Sequence, residues 1–233
     1  MLETLFSPLC KLSFTKISGI LVIAGLATCP AAFTQKMERL NIRYPMPMFV
    51  GTPKDMQVEN LEKTWELARP PFLVPEGTMN IARGKFVECS DENLLTGDPE
   101  MITNGDKEAA DGSIIELHEG PQYITIDLEQ PSVIYAVAVW HYHNKARVYY
   151  DLIVQVAEDP DFLTGVSTLF NNDFDNSLGF GVGEDPHYIE TYEGRLIDGR
   201  GTVGQYVRLY SNGNTDNALN HYIEVEVYGK TLP

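Results

Sequence analysis

The groups of this chain best equipped for chemistry stand together in Trp140-His-Tyr-His-Asn-Lys-Ala-Arg147. His141, His143, Asn144 and Arg147 offer imidazole, amide and guanidinium groups suited to ligand hydroxyls, and Tyr142, Tyr149 or Phe180 can supply an aromatic face. If a strand continues to residue 143, both imidazoles point the same way and could grip one zinc or copper ion, with His118, His187 or His221 as a third ligand. A histidine paired with a buried backbone group is the plainer alternative. The amide-rich run Asn212-Gly-Asn-Thr-Asp-Asn-Ala-Leu-Asn-His221 can line a polar pocket or simply make turns.

Catalytic signatures are missing from the sequence: it holds no nucleophile elbow, zincin helix or P-loop. Gly199-Arg-Gly-Thr-Val-Gly204 matches a dinucleotide fingerprint in letters, yet it precedes a strand pattern where that fingerprint must open a helix. Asn171-Asn-Asp173-Phe-Asp175-Asn-Ser177 resembles the start of an EF-hand loop, and Glu184 falls at its twelfth position. Leu178, however, occupies the sixth, where the turn needs glycine, so a loop capped by its own Asx turns is expected. The chain reads as a binding protein and not an enzyme.

The elements that must position these groups are mostly strands. Ile124, Ile126 and Leu128 alternate with Tyr123, Thr125 and Asp127, the pattern of a half-buried antiparallel strand. Val133 to Trp140 is apolar on both faces and predicts a central strand, covered by a sheet on one side and by an N-terminal strap or a loop on the other. Alternation recurs through Tyr150, Leu152, Val154 and Val156, at Val207 and Leu209, and through Ile223, Val225 and Val227. Residues 33–79 are cut by prolines and read as the strap, burying Trp65 and Phe72. Val58, Leu61, Trp65 and Ala68 predict a short helix from Met56 to Ala68, capped by Asp55 and ended by Pro70-Pro71. Long loops from Asn171 to Gly183 and from Ser211 to Asn220 are the natural carriers of function.

Asn80-Ile-Ala-Arg-Gly-Lys85 and Tyr222-Ile-Glu-Val-Glu-Val-Tyr-Gly229 bracket this β-rich stretch. With Gln122-Tyr-Ile-Thr-Ile-Asp-Leu128 and Gln205-Tyr-Val-Arg-Leu-Tyr210 between them, the chain resembles the discoidin (coagulation-factor C-type), galactose-binding-like family. The resemblance implies an all-β, galactose-binding-like jelly-roll β-sandwich over residues 80–233 with an irregular N-terminal extension, and a carbohydrate-binding role. It also implies a structural calcium. Thr103-Asn-Gly-Asp106 stands at the family's calcium turn, so Asn104, Asp106, Asp111 and Glu224 become the expected ligands, with Asn104 where the family more often has aspartate. By the same resemblance His141, His143, Asn144, Arg147 and Tyr149 are the expected ligand-binding residues.

The formal net charge of −16 opposes binding to nucleic acid and anionic lipid and leaves neutral glycans or cations as compatible partners. Residues 1–32 read as a signal peptide: Lys11 and Lys16 precede the apolar run Ile17–Thr28, which is shorter than the roughly 20 residues a bilayer span needs. Leu26-Ala-Thr-Cys29 also resembles a lipobox, giving lipidation at Cys29 as the alternative. The mature chain would keep Cys89 alone, read as a buried apolar residue, with no internal disulfide. These features predict a secreted, periplasmic or cell-surface module without a transmembrane span that binds a glycan or polysaccharide. The alternatives are an adhesion or assembly protein holding a cell-surface protein partner, and a metal-dependent enzyme built on His141 and His143.

Overall fold

The structure, a computed structural model, describes residues 35–49, 51, 56–63 and 69–233. The expected leader, with Cys10 and Cys29, lies outside the described residues, as does Trp65. Among those described, the regular elements are strands and a single 3-10 turn, Pro99–Thr103. An antiparallel sheet runs in the order β3 (Met79–Asn80), β11 (Glu224–Thr231), β6 (Gln122–Trp140), β9 (Arg195–Ser211), β7 (Ile153–Ala157) and β8 (Ser167–Asn171), and β4 (Val87–Cys89) pairs with the first half of β6. Two smaller antiparallel pairs complete it: β5 (Ile115–Leu117) with β10 (Asn220–Tyr222), and β1 (Met37–Arg39) with β2 (Leu73–Pro75). This is the expected all-β fold with non-sequential strand neighbours, as a jelly roll requires.

The two bracketing segments do meet. Asn80 pairs with Tyr228 in register, Ile81 N–H donates to Val227 O at 2.8 Å, and the Asn80 side chain accepts from the Val227 N–H. First and last strands of the domain are therefore hydrogen-bonded neighbours, which closes it.

The pairing of β6 with β9 is broken by two bulges. Residues 128–131 of β6 face only Gln205, with Glu129 at φ 67°, and residues 199–201 of β9 face only Tyr135, with Arg200 at φ 55° and Gly201 at φ 71°. The letters resembling a dinucleotide fingerprint are thus a β-bulge.

The second half of β6 lies between two cores. Ile134, Val137 and Val139 face the main one with Ile124, Ile126, Leu152, Val154, Val207, Leu209 and Val225. Ala136, Ala138 and Trp140 face a smaller one roofed by the strap residues Leu40 and Val74, with Ile42 and Phe72 packed at its edge. Of the two residues the strap is expected to bury, Phe72 is half-buried and Trp65 lies outside the described residues; the helix expectation does not hold where it can be seen. Residues 56–63 form no helical turn; Leu61 instead makes a parallel bridge to His187, with Glu62 N–H donating to His187 O and His187 N–H to Asn60 O. Backbone partners in the 187 loop outweigh the helical spacing of the side chains. Residues 64–68 of that expected helix lie outside the described residues.

Cys89, on β4, is half-buried against the main core, and burial, reinforced by Asp91 and Glu88, pushes its thiol up to about 12. Leu209→Ala, which empties a fully buried position, is expected to lower unfolding free energy by about 2–5 kcal/mol in urea titrations. Val203→Ala, at an exposed position of the same strand, should change it by less than about 0.5 kcal/mol.

Candidate functional site

β6 ends at Trp140, and the segment expected to touch ligand turns inward instead of outward. His141 and His143 are fully buried, Tyr149 and Arg147 nearly so, and only Asn144 of the expected set is partly exposed. His141 Nδ1–H donates to the buried Glu190 carboxylate at 3.0 Å, while the ring stacks on Tyr149 at 4.3 Å between centroids. His143 Nε2–H donates to the Lys107 carbonyl at 2.9 Å. The Tyr149 hydroxyl donates to His221 Nδ1 at 3.0 Å, and His221 Nε2–H donates to Glu116 at 3.1 Å, so the Glu116 carboxylate fixes the histidine tautomer. Burial, helped by Arg147, holds His221 below its ordinary pKa. Arg147 donates to Asn144 Oδ1 at 2.8 Å and stands 3.8 Å from Asp216.

This interior network corrects the expectation for His141, His143, Arg147 and Tyr149. Buried away from water, these groups bond mainly to one another and to the backbone, while His141 Nε2, His143 Nδ1 and Arg147 Nε have no partner among the described residues. The shared-metal reading of the two histidines falls with it. They serve different partners, and no cluster of three ligating side chains among the described residues includes either one.

The calcium corner is assembled in part. Gly105 N–H donates to Glu224 Oε2 at 2.8 Å, so the early Asn-Gly-Asp turn does touch the last strand. Glu224 is fully buried, its Oε1 has no partner among the described residues, and burial pushes its carboxyl up to about 8. An unpaired, desolvated carboxylate oxygen is what a bound cation would satisfy. The other expected ligands are turned to local duties: Asp106 accepts from Glu108 N–H and Ser113 Oγ, Asn104 accepts from Asp106 N–H, and Asp111 accepts from the Tyr142 hydroxyl. Asp106, Asp111 and Glu224 do not form a three-carboxylate cluster. Beside the corner, Lys107 reaches Glu226 at 2.7 Å and lies over the Trp140 ring, tying the loop to the strap-covered core.

A cleft of about 480 Å³ opens on the other side of the Tyr149–Tyr150 turn, where Tyr150 N–H donates to Gly213 O and Asn212 N–H to Tyr150 O. Tyr150, Asp151, Phe174, Asp175, His187 and Asn212 line it, and Gln57–Asn60 of the strap form its rim. The His187 ring stands edge-on to both Tyr150 and Phe174. A second cleft, of about 400 Å³, runs beneath β1 and is floored by the Lys107–Glu226 pair and Tyr228, whose polar atoms already satisfy one another. The cleft at Tyr150 differs in setting two aromatic side chains, Tyr150 and Phe174, beside its polar groups. Of its lining residues, sequence reasoning had noted only the Asp173–Asp175 loop, Asn212 and His187. Tyr150 read only as a strand position and Asp151 drew no reading, because what they line depends on strand pairing.

No protein-family model and no curated protein matches the chain. Solved structures similar to it include a chitosan-binding module 1 derived from a chitosanase/glucanase of Paenibacillus sp. IK-5, at 19% identity and a TM-score of 0.44, covering 65% of this chain and 99% of that one. CpGH89CBM32-4 of Clostridium perfringens, in complex with GlcNAc-alpha-1,4-galactose, aligns at 20% identity and a TM-score of 0.43 over 66% of this chain and 96% of that one. A Streptococcus pneumoniae fucose binding module aligns at 15% identity and a TM-score of 0.45, over 66% and 98%. The fold assignment rests on the strand pairing described above.

The raised Glu224 carboxyl makes stability depend on pH in a defined direction. The unfolded chain releases this proton near 4.5, whereas the folded protein keeps it to about pH 8, so between these values the folded state binds more protons and stability falls as pH rises. In metal-free buffer Glu224→Gln should remove that part of the decline, read as a flatter profile of thermal midpoint against pH.

Proposed function

We propose that this protein is an exported, non-catalytic carbohydrate-binding module that takes a glycan in the cleft between Tyr150, Phe174 and the strap. The observation that carries this reading is the pairing, in one cleft, of two aromatic side chains with an amide, a histidine and carboxylates. Sugar rings present an apolar face bordered by hydroxyls, and such a lining meets both. The sequence resemblance to galactose-binding-like domains and the excess negative charge, which disfavours polyanionic partners, support the same reading. The buried His141–Tyr149–His221 network then serves as the rigid backing of the site, holding the turn whose other face is Tyr150.

A structural calcium belongs to this proposal. Glu224 would anchor it through Oε1, and residues 104–106, already held against Glu224 by Gly105, would supply further oxygens, whereas Asp111 is committed to Tyr142. Bound there, the ion would stabilise the closure of the domain between its loop and its final strand.

In titrations with neutral oligosaccharides, Tyr150→Ala and Phe174→Ala should each weaken binding by about tenfold or more without loss of fold. Asn144→Ala should leave it nearly unchanged. Retention of full affinity by both aromatic variants would place the sugar elsewhere. Calcium should raise the thermal midpoint of the parent protein, chelator should reverse the gain, and Glu224→Gln should diminish it.

A further inference from the structure

We infer that the second cleft, between the strap and the edge of the sheet, is a separate site for a ligand bearing a single carboxylate. It measures about 400 Å³, within the ordinary range for small-molecule sites, and none of its lining residues lines the cleft at Tyr150. One wall is the run Arg39-Leu-Asn-Ile-Arg43, which continues β1, with Leu40 N–H donating to Phe72 O at 2.8 Å. Burial alternates along that run. Leu40 and Ile42 pack into the smaller core, whereas Arg39, Asn41 and Arg43 are all exposed and all line the cleft.

What this cleft offers a ligand is mostly hydrogen-bond donors. Neither Arg39 nor Arg43 has a carboxylate partner among the described residues, even though acidic residues outnumber lysines and arginines 33 to 17 in the sequence. The acceptors, by contrast, are largely spent. Lys107 Nζ and the Tyr228 hydroxyl donate to the two oxygens of Glu226, and Glu38 Oε1 accepts from Gly77 N–H. Asn80 Oδ1 accepts from the Ala82 and Val227 N–H groups, which leaves its Nδ2 as a donor.

The charge count agrees with the donor count. Arg39, Arg43 and Lys107 set against Glu38 and Glu226 leave one positive charge in the lining, which a single carboxylate neutralises. The net charge of −16 repels anions at long range, but salt screens that field over roughly 8 Å at physiological ionic strength, far more than the reach of a hydrogen bond. A polyanion would extend past the cleft and meet the acidic surface, whereas a small monocarboxylate stays within it. One guanidinium can grip the carboxylate through two parallel N–H bonds, and the other, with the Asn41 and Asn80 amides, can donate to hydroxyls on the rest of the ligand.

The test is a nuclear magnetic resonance titration of the full chain with sodium glucuronate, with glucose as its neutral counterpart and sodium acetate as the bare carboxylate. Glucuronate is expected to shift the amide signals of residues 38–43, and to do so equally in Tyr150→Ala, so the outcome does not depend on the glycan reading. Arg39→Gln and Arg43→Gln, at exposed positions, should each weaken this binding about tenfold, the size of one lost hydrogen bond to a charged group, and together remove it, with circular dichroism unchanged. Tighter binding of glucuronate than of acetate assigns the carboxylate to an acidic sugar, and equal or tighter binding of acetate assigns it to a simple organic acid; both sustain the site. The inference is overturned if glucuronate up to tens of millimolar leaves residues 38–43 unshifted, if glucose shifts them as much, or if the double variant binds as the parent does.

Discussion

The second half of β6 is buried on both faces, and the rest of the molecule is arranged around that demand. One face is met by the main sheet core, the other by the strap and the side chains of Trp140 and Tyr228. A strand enclosed in this way cannot release the chain directly into solvent. When it ends at Trp140, His141 and His143 are still inside, and each turns one ring nitrogen to a protein partner. The internal pairs of His141 with Glu190 and of His143 with the Lys107 carbonyl follow from that topological fact.

The same demand explains why the working surface lies where it does. Between Trp140 and Tyr149 only Lys145 is exposed, and at the Tyr149–Tyr150 pair the chain passes from the interior to the cleft. Tyr149 bonds to His221 in the interior, while Tyr150 faces the cleft opposite the strap. Residues 57–60 would be an unremarkable tail in isolation; bridged to His187, they become one wall of that cleft.

Much of the fold was legible in the sequence because it rests on short-range periodicity. The two-residue alternation located β6, β7, β9 and β11, the two-sided apolar run identified the central strand, and the bracket at Asn80 and Tyr228 is a true strand pair. The site was far less legible. Residue types at 141–149 suggested ligand contact, but side-chain type does not say which way the chain turns after a strand, and here it turned inward. Asp151 lies beside Asp173 only because β7 and β8 pair, a relation no local pattern announces. The helical spacing at residues 56–63 misled for a related reason, since side-chain periodicity is silent about backbone partners contributed by a distant loop.

Cys89 carries a final consequence. It is the only cysteine among the described residues, it sits partly enclosed against the core, and its thiol is held protonated far above neutrality. Nucleophilic exchange and oxidation proceed through the thiolate, which this position scarcely populates. Among the described residues no internal disulfide can form, and passage between a reducing and an oxidising milieu acts on this one slow thiol alone.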